Sequence, residues 1–307
     1  MSRTGVRSEI TARANELSAK RVPYVHARVV FAERPTSAKP GDSALVLADG
    51  TIVGFVGGTC AESTVRAQSL ALLDSHESLL LRITPEAEEQ TVGKLTVHNA
   101  CLSGGTLEIF LEPMVPAPLV AVVGDSPIAR ALVRIGERLG YEVILSSSPD
   151  GAAAVVVASH GRDEEDAIAA ALRAGTPYVG LVASRKRGEA VLASIDVCGS
   201  MKARVRTPAG LDIGARTPEE IALSILAEIV ASRPRPSGRD VLDNSDNSEN
   251  SENSDKTALT QAVDPVCGMS VAMVDTSLHL EHNSGRVYFC GSGCLRAFAA
   301  NPTAYAQ

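Results

Sequence analysis

Segments typical of β-strands alternate with segments typical of α-helices between residues 119 and 233, and this alternation constrains the fold most strongly. The apolar runs Leu119–Val123 and Ala153–Ala158 have the length of buried strands, and helix-forming stretches such as Pro127–Leu139 follow them. A repeat of this kind is typical of a parallel sheet that is covered by helices on both faces. The sequence therefore predicts an α/β fold with a parallel-sheet domain over residues 119–232.

The first 112 residues predict a separate domain of mixed α/β type. A helix is expected near Ser8–Lys20, and strands are expected at Tyr24–Phe31, Ala44–Leu47 and Thr106–Leu111. Three prolines in Glu112–Pro118 interrupt helices and interior strand pairing, so they mark the boundary to the second domain.

A low-complexity acidic tract separates a C-terminal tail from the rest of the chain. Residues 233–262 contain a near-perfect Asn-Ser-Asp/Glu repeat, with six acids between Asp240 and Lys256. Such a tract has almost no apolar surface to bury, so we predict a disordered acidic linker there. The tail, residues 263–307, is shorter than about 50 residues, and a module of that size commonly depends on a metal for stability.

Composition and charge exclude several classes of function. The net charge of −7 and the absence of Trp argue against a nucleic-acid-binding protein, which usually has a basic surplus. No run approaches the ~20 apolar residues of a membrane helix. The N-terminus also lacks the apolar core of a secretory signal. We therefore expect a cytoplasmic protein, in which the six cysteines are thiols or metal ligands rather than disulfides.

Three strand ends of the second domain carry candidate ligand-binding residues, and ligands bind at such ends in open α/β sheets. Gly124 and Ser126 begin a helix whose N-terminal N–H groups suit an anion. His160 can bind an anion or move a proton, and Ser184 with Arg185 begins a basic turn that suits phosphate. The alternatives are a turn that only folds, a histidine that caps a loop, and a solvated basic turn.

A nicotinamide-dependent oxidoreductase is the main alternative function. The G-x-G-x-x-G fingerprint of such enzymes has a glycine where this chain has Ser126. It also expects an acidic residue for the ribose hydroxyls near Leu145–Ser148, and that segment contains none. Both departures count against NAD binding.

Two glycine-rich turns of the first domain each carry a cysteine. Their candidate residues are Gly57, Gly58, Cys60 and Glu62 in the first turn, and Cys101, Gly104 and Gly105 in the second. Glycine lets the backbone approach a ligand closely, and a cysteine there can be a nucleophile, a sulfur carrier or a soft-metal ligand. A buried cysteine is more often a small apolar residue, but the matched glycine settings favour a function.

Several motifs are similar to those of the XdhC/CoxI family, over roughly residues 8–232. They are the two turns above, Arg34–Asp42, Ser159–Gly161, Tyr178–Arg185 and Gly210–Glu220. The resemblance implies a Rossmann-like second domain and a maturation factor for molybdenum hydroxylases, namely xanthine dehydrogenase and carbon monoxide dehydrogenase. The Arg34–Asp42 motif resembles the carbon monoxide dehydrogenase branch. We therefore expect a cofactor-insertion chaperone rather than a catalyst.

The resemblance also implies a ligand and partners. The ligand is molybdenum cofactor, whose molybdopterin carries a phosphate and a dithiolene-bound metal, and the protein supports its sulfuration and delivery. Cys60 and Cys101 suit the metal end, whereas the helix N-terminus and the basic turn of the second domain suit the phosphate. Expected partners are the molybdenum hydroxylase apo-enzyme, a cysteine desulfurase and a second copy of this chain.

The tail resembles a YHS domain, a small metal-associated module. The similarity lies in Asp264–Met269, Val287–Phe298 and Asn301–Tyr305. This resemblance suggests a third function, that of a metal-storage or metal-sensing protein acting through the tail.

The cysteines of the tail predict a metal site. Cys267, Cys290 and Cys294 offer three thiolates, which suit Cu(I), or Zn²⁺ once a fourth ligand completes the site. His279, His282 or a partner could supply that ligand. The alternative is three buried thiols in a fold that aromatic residues stabilise without a metal.

Overall fold

The computed structural model describes residues 3–86, 88–99, 105–233, 261–282 and 285–305. The chain divides into two compact units: Met1–Pro116 with Pro236–Gln307, and Ala117–Arg235. The first unit therefore contains both the first domain and the tail. Nearly all of the predicted linker, 233–262, lies outside the described residues, as do Cys101 and Gly104.

The first domain is a mixed sheet with one helix packed against each face. Its elements are α1 (Arg3–Ala19), β1 (Tyr24–Ala32), β2 (Ser43–Leu47), β3 (Ile52–Gly54), α2 (Thr59–Ser75), β4 (Leu79–Thr84), β5 (Leu95–His98) and β6 (Leu107–Met114). Within the described residues the strand order is β3-β2-β1-β6-β4-β5, and only the β4–β5 pair is parallel. The expected first helix and the three expected strands are confirmed, whereas α2 was not predicted.

Alternation along β1 explains which of its residues contact α2, whereas Tyr24, on the other face, is buried against α1. Val25, Ala27 and Val29 are buried, and successive side chains of a strand point to opposite faces. Val65 and Leu72 of α2 belong to the same core cluster. Packing on this face fixes the position of the N-terminus of α2, which carries Cys60.

The second unit is a parallel sheet between two layers of helices, as predicted. Its elements are β7 (Leu119–Val123), α3 (Pro127–Arg138), β8 (Glu142–Leu145), β9 (Ala154–Val157), α4 (Glu164–Arg173), β10 (Tyr178–Leu181), α5 (Arg185–Ser194), α6 (Gly199–Lys202), β11 (Val205–Arg206) and α7 (Pro218–Ser232). The odd and even residues of β7 point to opposite faces and belong to different hydrophobic cores. Ala121 packs with residues of α4 and α5, whereas Val122 packs with residues of α3 and α7. Both faces of β7 are buried, which explains its uninterrupted apolar sequence.

The strand order of the second unit creates a crevice. Among the described strands the order is β11-β10-β9-β7-β8, with every pair parallel. The chain leaves β7 towards β8 on one side and later returns to β9 on the other side. Ligands of such sheets bind where the order reverses, outside the carboxyl ends of the two strands.

The tail is a small module that packs on the first domain. Its elements are β12 (Gln261–Val263), β13 (Ser270–Ala272), β14 (Leu278–His282), β15 (Gly285–Phe289), α8 (Ser292–Ala300) and a 3₁₀ turn, Pro302–Ala304. Ala272 packs against Ala67 and Leu70 of α2. The hydroxyl of Thr276 donates a hydrogen bond of 3.0 Å to the carbonyl oxygen of Asp49. The tail is thus part of the first unit.

Among the helices in the described part of the chain, none combines the length and the apolar character that crossing a bilayer requires.

Candidate functional site

The second unit contains a cavity of about 650 Å³ at the carboxyl ends of β7 and β9, which we call the switch-point cavity. Gly124 and Ser126 line it after β7, and His160 lines it after β9. The structure therefore brings together three of the five site residues that the sequence indicated in this domain. The cavity lies where a sheet of this topology binds its ligands.

The turn after β7 depends on glycine and on a serine cap. Gly124 has φ +110°, and a Cβ built there would lie 2.6 Å from Cα of Ser159. The hydroxyl of Ser126 accepts a hydrogen bond of 3.1 Å from the backbone N–H of Ala129, so Ser126 caps α3, the helix that it was expected to begin. The two features hold β7 and β9 close together and direct the N-terminus of α3 towards the cavity.

The loop after β9 is fixed by a buried carboxylate. Glu164, whose side chain is 1% exposed, accepts a hydrogen bond of 2.7 Å from the backbone N–H of Gly161 and one of 2.6 Å from Nη2 of Arg187. His160 and Asp163 both have positive φ, at 54° and 51°. Because L residues rarely adopt this conformation, the contacts of Glu164 maintain the shape of the loop.

The basic turn before α5 contributes a different arginine from the predicted one. Ser184 is the N-cap of α5, which puts Arg187 rather than Arg185 beside the loop after β9. Arg185 is exposed and is not part of the cavity lining. Its role as a phosphate ligand stays a prediction, whereas sequence analysis missed the pair of Arg187 and Glu164.

The charge of the switch-point cavity is mixed. Carboxylates of Asp125, Asp163 and Asp166 line it together with the guanidinium of Arg162. Asp125 is paired with Arg130 at 2.7 Å, and this pair lowers the pKa of the Asp125 carboxyl. The cavity thus offers acceptors for ligand hydroxyls as well as donors for an anion, and anion binding there stays a prediction.

A second cavity, of about 710 Å³, lies in the first unit, and we call it the first-domain cavity. The lining comes from both glycine-rich turns, from the loop after β1 and from the tail. It includes Arg34, Pro35, Thr36, Ser37, Gly58, Cys60, Thr84, Asn99, Gly105, Gly291, Ser292 and Gly293. The structure therefore joins the predicted turns with the Arg34 motif, and it adds the N-terminus of α8, which sequence analysis did not assign to this site.

The glycines of this cavity have identifiable tasks. Gly58 is the N-cap of α2, so Cys60 lies in the first turn of the helix together with Glu62. Gly57 has φ +145°, and a Cβ there would lie 2.9 Å from Cβ of Ala61. A Cβ at Gly105 would collide with the carbonyl oxygen of Glu33. The sequence predicted that these glycines let the backbone approach a ligand. In the structure, Gly57 and Gly105 instead allow close packing against other residues of the chain, and this packing shapes the cavity.

The three cysteines of the tail form a compact cluster, which we call the thiol cluster. Sγ of Cys290 lies 3.5 Å from Sγ of Cys267 and 3.7 Å from Sγ of Cys294. None of the three is in a disulfide. Together with a carboxylate oxygen of Asp264, these sulfur atoms lie within 4.8 Å of one another. Four ligand atoms in so small a space form a candidate metal centre.

The two histidines considered as completing ligands lie elsewhere. Nδ1 of His279 is 2.8 Å from the carbonyl oxygen of Ser277, and the ring of His282 packs edge-on against Phe298 at 5.3 Å. Among the described residues, neither histidine belongs to the group of potential ligands around the thiol cluster. A histidine fourth ligand is therefore not supported.

Cys60 of the first domain contacts the thiol cluster. It packs against the group that contains Cys290 and Cys294. The neighbouring thiol of Cys60, burial and the thiol of Cys267 together raise the pKa of the Cys290 thiol. Burial raises the pKa of Cys294 to about 12. Without a bound cation both thiols are protonated at neutral pH.

Asp264 connects the two segments that carry the thiol cluster. Its fully buried carboxylate accepts hydrogen bonds from the backbone N–H groups of Val266, at 2.9 Å, and Cys290, at 2.8 Å. Asp264→Asn turns one acceptor oxygen into a donor that faces an N–H group. We expect the substitution to lower the free energy of unfolding of the tail by about 2 kcal/mol.

Hydrogen exchange of the Val266 and Cys290 amides in the variant measures this effect. Asp275→Asn, at an exposed side chain that pairs with Arg286, is the matched control and should leave both amides protected. Unchanged protection in Asp264→Asn would contradict the structural role of this carboxylate.

Two family models match the chain. The model of the XdhC and CoxI family matches residues 17–84, and that of the XdhC Rossmann domain matches residues 120–229. The first range contains Cys60 with its turn, and the second contains Gly124, His160 and Arg185. The tail lies outside both matched ranges.

Proteins that are similar to this chain include one from Escherichia coli and one from Bacillus halodurans. The protein described as "Uncharacterized protein YqeB" from Escherichia coli (strain K12) is 27% identical over an alignment of 254 residues, and the match covers 72% of this chain and 46% of that protein. The chain thus spans about half the length of this curated relative. A crystal structure described as a xanthine dehydrogenase from Bacillus halodurans is 17% identical, with a TM-score of 0.34, and the match covers 74% of this chain and 97% of that one.

Proposed function

Because the chain belongs to the XdhC and CoxI family through its first domain and its Rossmann domain, we propose that it is a maturation factor for a molybdenum hydroxylase. The client enzyme is of the xanthine dehydrogenase or carbon monoxide dehydrogenase type. In this proposal the chain binds molybdenum cofactor, assists its sulfuration and inserts it into the apo-enzyme. The observation that carries the proposal is the first-domain cavity, which Arg34, Cys60 and both glycine-rich turns line together.

The donor set of this cavity suits the cofactor. A guanidinium at Arg34 is a strong partner for phosphate, and the thiol of Cys60 is a soft ligand for a metal that already carries sulfur. A volume of about 710 Å³ lies within the range usual for small-molecule sites. When bound, the cofactor supplies the molybdenum centre that the client enzyme needs. The residues of this chain hold and orient it.

We also propose that the switch-point cavity binds a phosphate-bearing ligand between the N-terminus of α3 and His160. The glycine turn and the position at the strand ends support this role.

The nicotinamide-dependent alternative uses the same cavity, and a thermal-shift measurement with NAD(H) separates the two functions. NAD(H) at 100 times its dissociation constant stabilises a specific binder by about 2.7 kcal/mol, so an unchanged melting temperature argues against that alternative.

Loss of the Cys60 thiol is expected to remove most of the bound cofactor. Cys60→Ser exchanges a soft ligand for a hard one, and we expect at least a tenfold loss of molybdopterin and molybdenum that co-purify with protein from molybdate-fed cells. The measurement is the pterin and metal content per chain. Cys198→Ser, at an exposed cysteine of the second unit, is the matched control. Equal cofactor content in parent and Cys60→Ser would refute the assignment of Cys60. The same test applies to Cys101, whose position lies outside the described residues.

For the tail we propose binding of a thiophilic metal ion through Cys267, Cys290 and Cys294. Metal–sulfur bonds of about 2.3 Å in a tetrahedral site place the sulfur atoms roughly 3.8 Å apart. The observed separations of 3.5 Å and 3.7 Å are close to that value. The thiol cluster therefore fits Zn²⁺, and its three thiolates also fit Cu(I).

A further inference from the structure

The thiol cluster lies against the helix that carries Cys60, so the tail and the first domain meet at sulfur atoms. A Cβ built on Gly291 would lie 3.4 Å from Sγ of Cys60, and Cys60 packs in the same cluster as Cys290 and Cys294. Cys60 and Cys290 are about 230 positions apart in the sequence. The group of ligand atoms within 4.8 Å of one another contains Asp264 and the three tail cysteines but not Cys60. Unlike the two histidines, Cys60 packs against that group, so a small approach of its side chain would bring a fourth sulfur atom to the site.

We infer that Cys60 is the fourth sulfur ligand of a zinc site whose other ligands are Cys267, Cys290 and Cys294. The site is then shared between the first domain and the tail. This inference rests on the thiophilic-metal role proposed for the tail. It competes with the cofactor role proposed for Cys60, because a thiolate in a closed four-sulfur zinc site is not available to molybdenum. Four thiolates form the closed tetrahedral set that structural Zn²⁺ sites use, whereas Cu(I) is satisfied by three.

The carboxylate of Asp264 is the competing fourth ligand, since its oxygen lies within 4.8 Å of the sulfur atoms. Both of its oxygens already accept hydrogen bonds, from the backbone N–H groups of Val266 and Cys290. These bonds hold the two cysteine-bearing segments together, so Asp264 positions the ligands. A sulfur atom beside Cys290 is also a better match for the thiolate set than an oxygen.

Two helix starts fix the positions of two of the proposed ligands. Cys60 lies in the first turn of α2, and Cys294 lies in the first turn of α8. The backbone of each helix therefore determines where its sulfur atom can lie. Binding of a cation would displace the thiol protons, so the four-thiolate set would form together with the metal.

A shared site connects the metal to the first-domain cavity. Gly291, Ser292 and Gly293, at the start of α8, line that cavity beside Cys60. A zinc ion held by Cys60 and Cys290 fixes this part of the tail against α2. With the metal bound, the start of α8 stays in the wall of the first-domain cavity. Without the metal, this part of the wall is no longer fixed.

The test compares two metals on the same pair of proteins. The full chain is prepared from cells grown without molybdate, stripped of metal under reducing conditions, and titrated with Zn²⁺ or Cu(I) against a chromophoric chelator. Replacing a ligand costs at least as much as disturbing its outer-shell support, which is worth roughly 10–100-fold in affinity. We expect Cys60→Ser to weaken Zn²⁺ binding by at least about tenfold while leaving Cu(I) affinity within about threefold. Cys267→Ser should weaken both, and Cys198→Ser neither.

The outcomes separate ligation from damage. Equal loss of both metals in Cys60→Ser, or unchanged Zn²⁺ affinity, would overturn the fourth-ligand inference and leave a three-thiolate site. A parent protein that binds neither metal would overturn the metal role of the tail as well.

A second measurement needs no variant. Zn²⁺ should protect Cys60 of the parent from alkylation while the exposed Cys198 stays reactive. Alkylation of Cys60 at the same rate with and without Zn²⁺ would also overturn the inference.

Discussion

Gly124→Ala is expected to lower the free energy of unfolding of the second unit by about 2–5 kcal/mol, because two penalties act together. The residue has φ +110°, outside the regions that L side chains favour, which costs roughly 1–2 kcal/mol. The added Cβ would also lie 2.6–2.9 Å from backbone atoms of Ala158 and Ser159, and overpacking of this kind costs roughly 1–3 kcal/mol. Backbone atoms of a central strand end cannot move aside as a flexible side chain can.

Urea denaturation with hydrogen exchange of β7 and β9 peptides measures this loss. Gly140→Ala is the matched control, because Gly140 has φ +78° but no heavy atom within 4 Å of the added Cβ. It should show only the backbone penalty of about 1–2 kcal/mol. If both substitutions cost the same, the close approach of the strand ends at Gly124 would not be the cause.

Arg187→Met is expected to lower the free energy of unfolding of the second unit by about 3 kcal/mol. Glu164 is 1% exposed, and without Arg187 its carboxylate stays buried with one backbone hydrogen bond. Breaking a buried ion pair from one side costs more than losing the pair itself. Since Arg187 is 38% exposed, removing Glu164 leaves an arginine that water can solvate, so Glu164→Gln should cost less than Arg187→Met.

A double-mutant cycle checks this asymmetry. Adding Glu164→Gln to Arg187→Met removes the unpaired charge and should restore part of the lost stability. Arg185→Met changes an exposed neighbour and should stay within about 0.5 kcal/mol of the parent. A cost for Arg187→Met as small as that for Arg185→Met would show that the pair does not hold the loop after β9.

The sequence predicted the second domain well because its local signals agree. β7 is apolar at every position and buried on both faces, and Ser126 with Pro127 marks the start of α3. The helix α2 was missed for a physical reason. Its buried positions include Ser63, Thr64 and Ser69, so no continuous apolar stripe distinguishes it from a loop that follows Gly58.

The candidate site was predictable residue by residue but not in its grouping. Cys60 was singled out by its glycine-rich turn, but its contact with Cys290 depends on tertiary packing that no local pattern encodes. Which of the two arginines, Arg185 or Arg187, faces the loop after β9 depends on where α5 begins. The N-cap at Ser184 sets that start. The sequence did contain a signal for that ion pair. The basic run Arg185–Arg187 and the acidic run Glu164–Asp166 each begin a helix of the same domain.

The composition of the first unit from two distant segments has a consequence for protein synthesis. A ribosome completes residues 1–116 and then the whole of Ala117–Arg235 before it reaches the tail. The roughly 175 residues between Pro116 and Gly291 take roughly 10–35 s at 5–20 residues per second. During that interval the nascent first domain lacks the part of the cavity wall that Gly291–Gly293 supply. Gly291, which lies against Cys60 in the finished protein, is therefore among the last contacts of Cys60 to be synthesised.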